Sequence, residues 1–171
     1  IMKPLAHDES KFPANVTQDM LDQALAAGKK AGGGGGLGTK IVTINGTKYV
    51  CKLGNEPYKR KAVENGYACD MAYRAAGINV PDAKLYKFGD NVYKLAEFIE
   101  GTRLDKMVSV DSSTGAWNVP QSVRDDLLKG YPLDVLFSNW DVLGTNQDEG
   151  LRYTNIIVDK DGKCWRVDND G

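Results

Sequence analysis

Residues 137–171 read FSNWDVLGTNQDEGLRYTNIIVDKDGKCWRVDNDG, and the reading of the whole chain turns on them. TNIIVD and KCWRVD alternate apolar and polar residues on either side of Asp161-Gly162, a strong short-range signal for a β-hairpin. A hairpin returns the chain on itself, so Asn155 at its start and Asp168 at its end are expected side by side. An amide and a carboxylate held that way can offer oxygen ligands to a hard cation. Asp141, on the preceding loop, could face the same spot as a base.

The composition narrows the classes. With 171 residues the chain can bury a real core, but it is small for two full lobes. The net charge is −1 and no basic run exceeds Lys59-Arg60-Lys61, which argues against a nucleic-acid partner. No apolar run has the length of a bilayer span and no signal peptide opens the chain. Cys51, Cys69 and Cys164 are odd in number, widely spaced and set among apolar neighbours, and read as buried reduced thiols in a cytoplasmic protein, with neither a disulfide framework nor a zinc knuckle. The only histidine is His7, in a polar segment, which excludes most histidine-based catalysis. The start at Ile1-Met2 and the stop at Gly171, just past the candidate cation site, suggest a piece of something longer.

Outward from the hairpin, residues 1–15 carry Pro4 and Pro13 among polar residues and read as a loose lead-in. TQDMLDQALAAGKK has helical spacing, with Thr17 as N-cap and Gly28 as stop. The glycine-rich run 31–38 would be a linker by composition. Its position before a hairpin, KIVTI, Asn45-Gly46 and TKYVCKL, favours a loop whose backbone amides point at phosphate groups. Lys52 ends the second strand. By itself it reads as an ordinary edge-strand lysine; in this context it can pair with phosphates. A helix is predicted over 58–76 from Val63, Tyr67, Met71 and Ala75, closed by Gly77 and Pro81. A second hairpin follows with Gly-Asp-Asn at its turn, and its apolar strand 92–99 leads into a connection. Residues 108–120 read as loop. After Pro120, Val123, Leu127, Leu128, Leu133, Leu136 and Phe137 predict one or two helices. Trp117 and Trp165 read as packing residues, and Asp141, Asn155 and Asp168, each taken singly, as helix-end and turn caps.

Taken together, GGGGGLGTK…GTKYVCKLG…ENGYACDMAYRAAGINVPDAKLYKF…YKLAEFIEG resembles the N-terminal lobe of HipA-type toxin kinases and their phage and bacterial relatives. The closing NWDVLG…TNIIVDKDGKCWRVDNDG is similar to the catalytic segment of bacterial kinase-like domains related to the HipA, phosphatidylinositol kinase and actin-fragmin kinase groups. The resemblance covers residues 31–171 and implies an atypical protein-kinase-like fold of α+β class. In it, 1–30 would be a lead-in with a short helix. Residues 31–101 would be an N-lobe with an antiparallel β-sheet and a helix. Residues 102–171 would be a linker and the start of a mainly helical C-lobe, apparently truncated, whose remainder is supplied in cis or by another chain.

The resemblance further implies ATP and Mg2+ as cofactors. Gly33, Gly34, Gly35 and Gly36 would form the phosphate loop, Lys52 would bind phosphate, and Glu97, Phe98 and Ile99 would form the hinge that receives adenine. Asp141 would be the catalytic base and Asn155 and Asp168 the metal ligands. Two departures stand out. The usual Asp-Phe-Gly appears as Asp168-Asn169-Asp170-Gly171. An Asn-Glu-Tyr run of relatives appears as Asn65-Gly66-Tyr67, which leaves the lysine's acidic partner missing or substituted by Glu64 or Asp70. The expected function is phosphotransfer to an acceptor that the sequence does not name, a protein, a lipid or a small molecule. The alternatives are a pseudokinase or nucleotide-binding scaffold, and AMP transfer on the same fold.

Overall fold

The computed structural model describes residues 2–31, 38–139, 142, 145–146, 150–151 and 155–169. Asp141 and Gly33, Gly34, Gly35 and Gly36 lie outside the described residues. The architecture is α+β. Helix α1 (Gln18–Ala27) leads into β1 (Lys29–Lys30), and β2 (Lys40–Ile44) and β3 (Thr47–Gly54) form a hairpin. Helix α2 (Pro57–Ala75) connects to a second hairpin, β4 (Ala83–Phe88) and β5 (Asn91–Glu97). These strands make one antiparallel sheet of five, in the order β1-β2-β3-β5-β4. Next come β6 (Thr102–Arg103), a small hairpin of β7 (Ser109–Val110) and β8 (Trp117–Asn118), and α3 (Gln121–Leu136). The paired strands β9 (Thr145–Asn146) and β10 (Gly150–Leu151) precede β11 (Ile156–Val158) and β12 (Cys164–Arg166). The last two form the predicted hairpin, with β6 on the outer side of β11.

Local chemistry accounts for the elements. Asn45 and Gly46 both have positive φ, 50° and 78°, the geometry of the tight turn that matches strand twist. The Thr17 side chain caps α1 by accepting from the Met20 amide at 3.2 Å. On the sheet, period-2 alternation sends Tyr49, Cys51, Tyr93 and Leu95 to one face, where they pack with Phe12, Leu21, Val42 and Ile44. Lys52 and Lys94 are register partners on β3 and β5 and belong to the other face, which α2 covers.

Two expectations are corrected and a third is narrowed. Residues 2–13 are fastened down: Phe12 is buried in the core, the Leu5 amide donates to Arg74 O at 2.9 Å, and Arg74 Nη2 donates to Ala6 O at 2.7 Å. Asp82, buried just before β4, accepts from the Asp8 amide at 2.8 Å and bonds His7 at 2.7 Å. Residues 108–120 are not simply loop, since β7 and β8 pair around a turn that Asp111 caps. The segment after Pro120 is one helix that runs through Pro132, and its Leu128 and Leu136 point outward while Leu133 and Phe137 pack on Tyr73.

The inward stripe of α3 is Val123, Leu127, Gly130 and Asp134. Asp134 receives Arg166 of β12 in a two-pronged pair, Nε to Oδ1 at 2.9 Å and Nη2 to Oδ2 at 2.8 Å, and Arg166 is 1% exposed. A Cβ on Gly130 would lie 2.5 Å from Arg166 Cζ, so only glycine leaves room for the guanidinium. Alanine gains about 1 kcal/mol in helix propensity, but here the locked guanidinium cannot retreat without leaving Asp134. We therefore predict that Gly130→Ala lowers stability in urea unfolding. Arg166→Met should cost roughly 3–5 kcal/mol by leaving a buried charge unpaired, and Arg166→Met with Asp134→Leu should recover much of it.

The His7 clasp gives a second prediction. Its hydrogen bond to Asp82, then that to Glu9 at 2.8 Å, hold the imidazole pKa above its ordinary value. A raised folded pKa means that the stabilisation is complete below the unfolded value of about 6.5 and is lost as pH rises through the folded one. Tm should therefore fall as the pH rises above about 6.5, and this fall should be smaller in His7→Gln. Identical pH profiles for the two proteins would contradict the clasp.

Candidate functional site

The site assembles where the hairpin of β11 and β12 meets the α2 face of the sheet. Lys52 and Lys94 are each 4% exposed, on adjacent strands. Two buried ammonium groups on one face require counter-charges. Asp168 Oδ1 meets Lys52 Nζ, and Asp70 Oδ2 from α2 meets Lys94 Nζ. Burial pushes the Lys52 pKa down, the Asp168 carboxylate opposes that shift, and Lys94 adds to it. The two lysines thus lie close enough to feel each other's charge.

Asp168 reaches Lys52 because of how β12 ends. Ile156↔Arg166 is the last strand pair, and the Val167 amide still donates to Asn155 O at 2.9 Å. Asn155 therefore stands opposite Val167, with Asp168 one residue further on. Asp168 then takes φ 59°, a left-handed conformation that aspartate tolerates better than most residues, and the chain turns toward the sheet. Asn155 is half-buried, and the Asp168 side chain is 47% exposed. The hairpin loop is wider than the tight turn that Asp161-Gly162 suggested: Asp159 Oδ1 accepts from the amides of Asp161 and Lys163, both at 2.9 Å.

The next residue, Asn169, is 4% exposed and fully engaged. Its Nδ2 donates to Asp70 Oδ1 at 2.9 Å and to Arg166 O at 3.3 Å, while its Oδ1 accepts from Asn139 Nδ2 at 3.0 Å. Asn139 Nδ2 also lies 3.1 Å from the Tyr73 hydroxyl, which donates to Asp134 Oδ1 at 2.7 Å. Burial, and then this bond to a carboxylate, push the Tyr73 pKa up. A continuous buried polar chain thus runs Lys94–Asp70–Asn169–Asn139–Tyr73–Asp134–Arg166, and it joins the sheet, α2, α3 and the hairpin.

The sequence-predicted residues fall into groups. Lys52 and Asp168 are brought into contact, and Asn155 stands at the same end of the hairpin. Glu64 is not brought to Lys52: it pairs with Lys87 at 2.9 Å on the outer side of α2, which corrects its expected role beside the lysine. Asp70, the other substitute, serves Lys94. Glu97 closes β5, where its Oε1 accepts from the Asp82 amide at 2.9 Å and its own amide donates to Asp82 O at 2.9 Å. Phe98 has the Lys48 ammonium over its ring at 5.4 Å, and Ile99 is half-buried beside it. The glycine run connects paired strands, since β1 pairs with β2 and the Ala31 amide donates to Thr39 O at 3.1 Å. That placement differs from a linker between separate units. Lys94, Asn139 and Asn169 were missed by sequence reasoning. The one signal available was the pair of polar residues Asp168-Asn169 directly after the apolar alternation of the hairpin.

No protein-family model matches the chain, and no curated protein matches it either.

Proposed function

We propose that the chain is an ATP- and magnesium-dependent phosphotransferase on an atypical kinase-like fold. The observation that carries this reading is the Lys52–Asp168 contact, which spans 116 positions of sequence. It joins the lysine of the third strand to the acidic residue that ends the hairpin, the pair that such chemistry needs around the phosphates. Further support comes from the strand order, from the glycine run between β1 and β2, and from a helix between β3 and β4. Asn155 and Asp168 supply only oxygen donors, and the half-exposed Asp168 carboxylate can accept a hydrated ion, so the donor set fits a hard cation.

In this reading Asn155 and Asp168 would hold magnesium, whose positive charge would offset the charge on the β- and γ-phosphates. Lys52 releases Asp168 to reach a phosphate oxygen, and the backbone amides of the glycine run fix the remainder. Asp141 accepts the proton of the acceptor hydroxyl while its oxygen forms a bond to the γ-phosphorus. The bond to the β,γ-bridging oxygen breaks, and ADP leaves. Glu97 to Ile99 offer backbone groups to adenine. One observation favours a second reading, a nucleotide-binding module without turnover: the carboxylate that α2 turns inward is engaged by Lys94 rather than Lys52.

The two readings separate with ATP labelled at the α- or the γ-phosphate. We predict magnesium-dependent release or transfer of the γ-label, reduced by about two orders of magnitude or more in Asp168→Ala and in Lys52→Met. Undiminished turnover in Asp168→Ala would overturn the assignment. Binding without turnover would favour the non-catalytic module, and covalent retention of the α-label would favour AMP transfer.

A further inference from the structure

The residue after Asp168 is a buried, hydrogen-bonded asparagine. Its partners come from two different elements. Asp70 belongs to α2, and Asn139 lies two positions before Asp141 in the segment that follows α3. We infer that Asn169 is a positioning residue that holds the metal ligand Asp168 in one fixed relation to α2 and to Asn139; the inference rests on the function proposed above.

Asn169 uses both ends of its amide: Nδ2 donates to Asp70 Oδ1 at 2.9 Å and to Arg166 O at 3.3 Å, and Oδ1 accepts at 3.0 Å from Asn139. A planar amide held at both ends cannot rotate, and at φ 59° the preceding Asp168 lies directly between that anchor and the last bonded residue of the hairpin, Val167. Asp70 in turn has its second oxygen on Lys94, so it is a carboxylate tied to both α2 and β5. Replacing a buried ion pair by apolar side chains is often neutral or stabilising. The Lys94–Asp70 pair therefore contributes less as a source of stability than as a fixed acceptor for Asn169. In kinases, a lysine–glutamate pair couples the helix to the phosphate site. Here the helix acid is instead coupled to the metal ligand's own neighbour, while Lys52 meets Asp168.

Outer-shell partners of this kind cost roughly 10–100-fold in metal affinity when they are removed. The test is a thermal-shift titration of magnesium at fixed ATP on the whole chain and on Asn169→Leu, with the shift by ATP without magnesium measured alongside. The expected result is a magnesium midpoint raised roughly 10–100-fold in the variant, with the magnesium-free ATP shift unchanged. A variant that melts lower but keeps the wild-type midpoint overturns the inference and makes Asn169 a packing residue. If Asn169→Leu does not fold, Asn169→Ser replaces it and is judged by the same midpoint. Absence of any magnesium-dependent shift in the wild-type chain would overturn the proposed function and this inference together, whereas an unchanged midpoint in the variant overturns the inference only.

Discussion

The structure depends on a buried polar chain that begins at Lys94 and ends at Arg166. Charges and amides taken out of water are costly unless every group finds a partner. Each member here has one: ammonium to carboxylate, carboxylate to amide, amide to amide, amide to phenol, phenol to carboxylate, carboxylate to guanidinium. An apolar core tolerates many packings, but a network of this length is satisfied by one arrangement only. It sets α2, α3 and the hairpin at fixed distances from the sheet. Apolar packing supports the same arrangement, since Tyr73 meets Phe137 edge-on at 5.3 Å while its hydroxyl serves the network.

The sheet separates two kinds of chemistry. One face is a conventional core closed by α1 and by the N-terminal strap. The other carries Lys52 and Lys94 and faces the hairpin. Because adjacent strands bring these lysines together, their counter-charges must come from elsewhere in the chain, Asp70 from α2 and Asp168 from the residues that follow β12. This requirement draws the last described residues back onto the sheet. The strap adds a constraint at the edge of the same unit: Asp82 holds His7 and the Asp8 amide, and Asp82 and Glu97 hold each other at the end of β5.

Much of the fold was legible because its signals are local. Asn45-Gly46, Gly89-Asp90 and Thr17 act within a few residues, so both hairpins of the sheet and the start of α1 follow from sequence. The strap was not legible, because what orders 2–13 is long-range: Arg74, Asp82, Tyr49 and Tyr86 lie far along the chain, and polar residues without a visible partner read as loop. β1 is only Lys29–Lys30, too short for an alternation signal. In α3 the apolar spacing included Leu128 and Leu136, which are exposed, while the inward stripe runs through Gly130 and Asp134. An inward glycine and aspartate are intelligible only once Arg166 is opposite them. The site divides along the same line. Lys52, Asn155 and Asp168 sit on elements with local signatures, whereas Lys94, Asn139 and Asn169 matter through contacts that no spacing encodes. Glu64 and Asp70 were equal candidates by sequence, and the helix phase separates them: Asp70 shares the inward stripe with Val63 and Tyr73.

The most direct test of the central claim is a crystal structure of the chain with Mn2+ and a non-hydrolysable ATP analogue, with anomalous data at the manganese edge. The account predicts a metal peak ligated by Asn155 and Asp168, with Lys52 Nζ moved from Asp168 to a phosphate oxygen. An analogue bound elsewhere, with the Lys52–Asp168 contact intact and no metal at the hairpin, would contradict it.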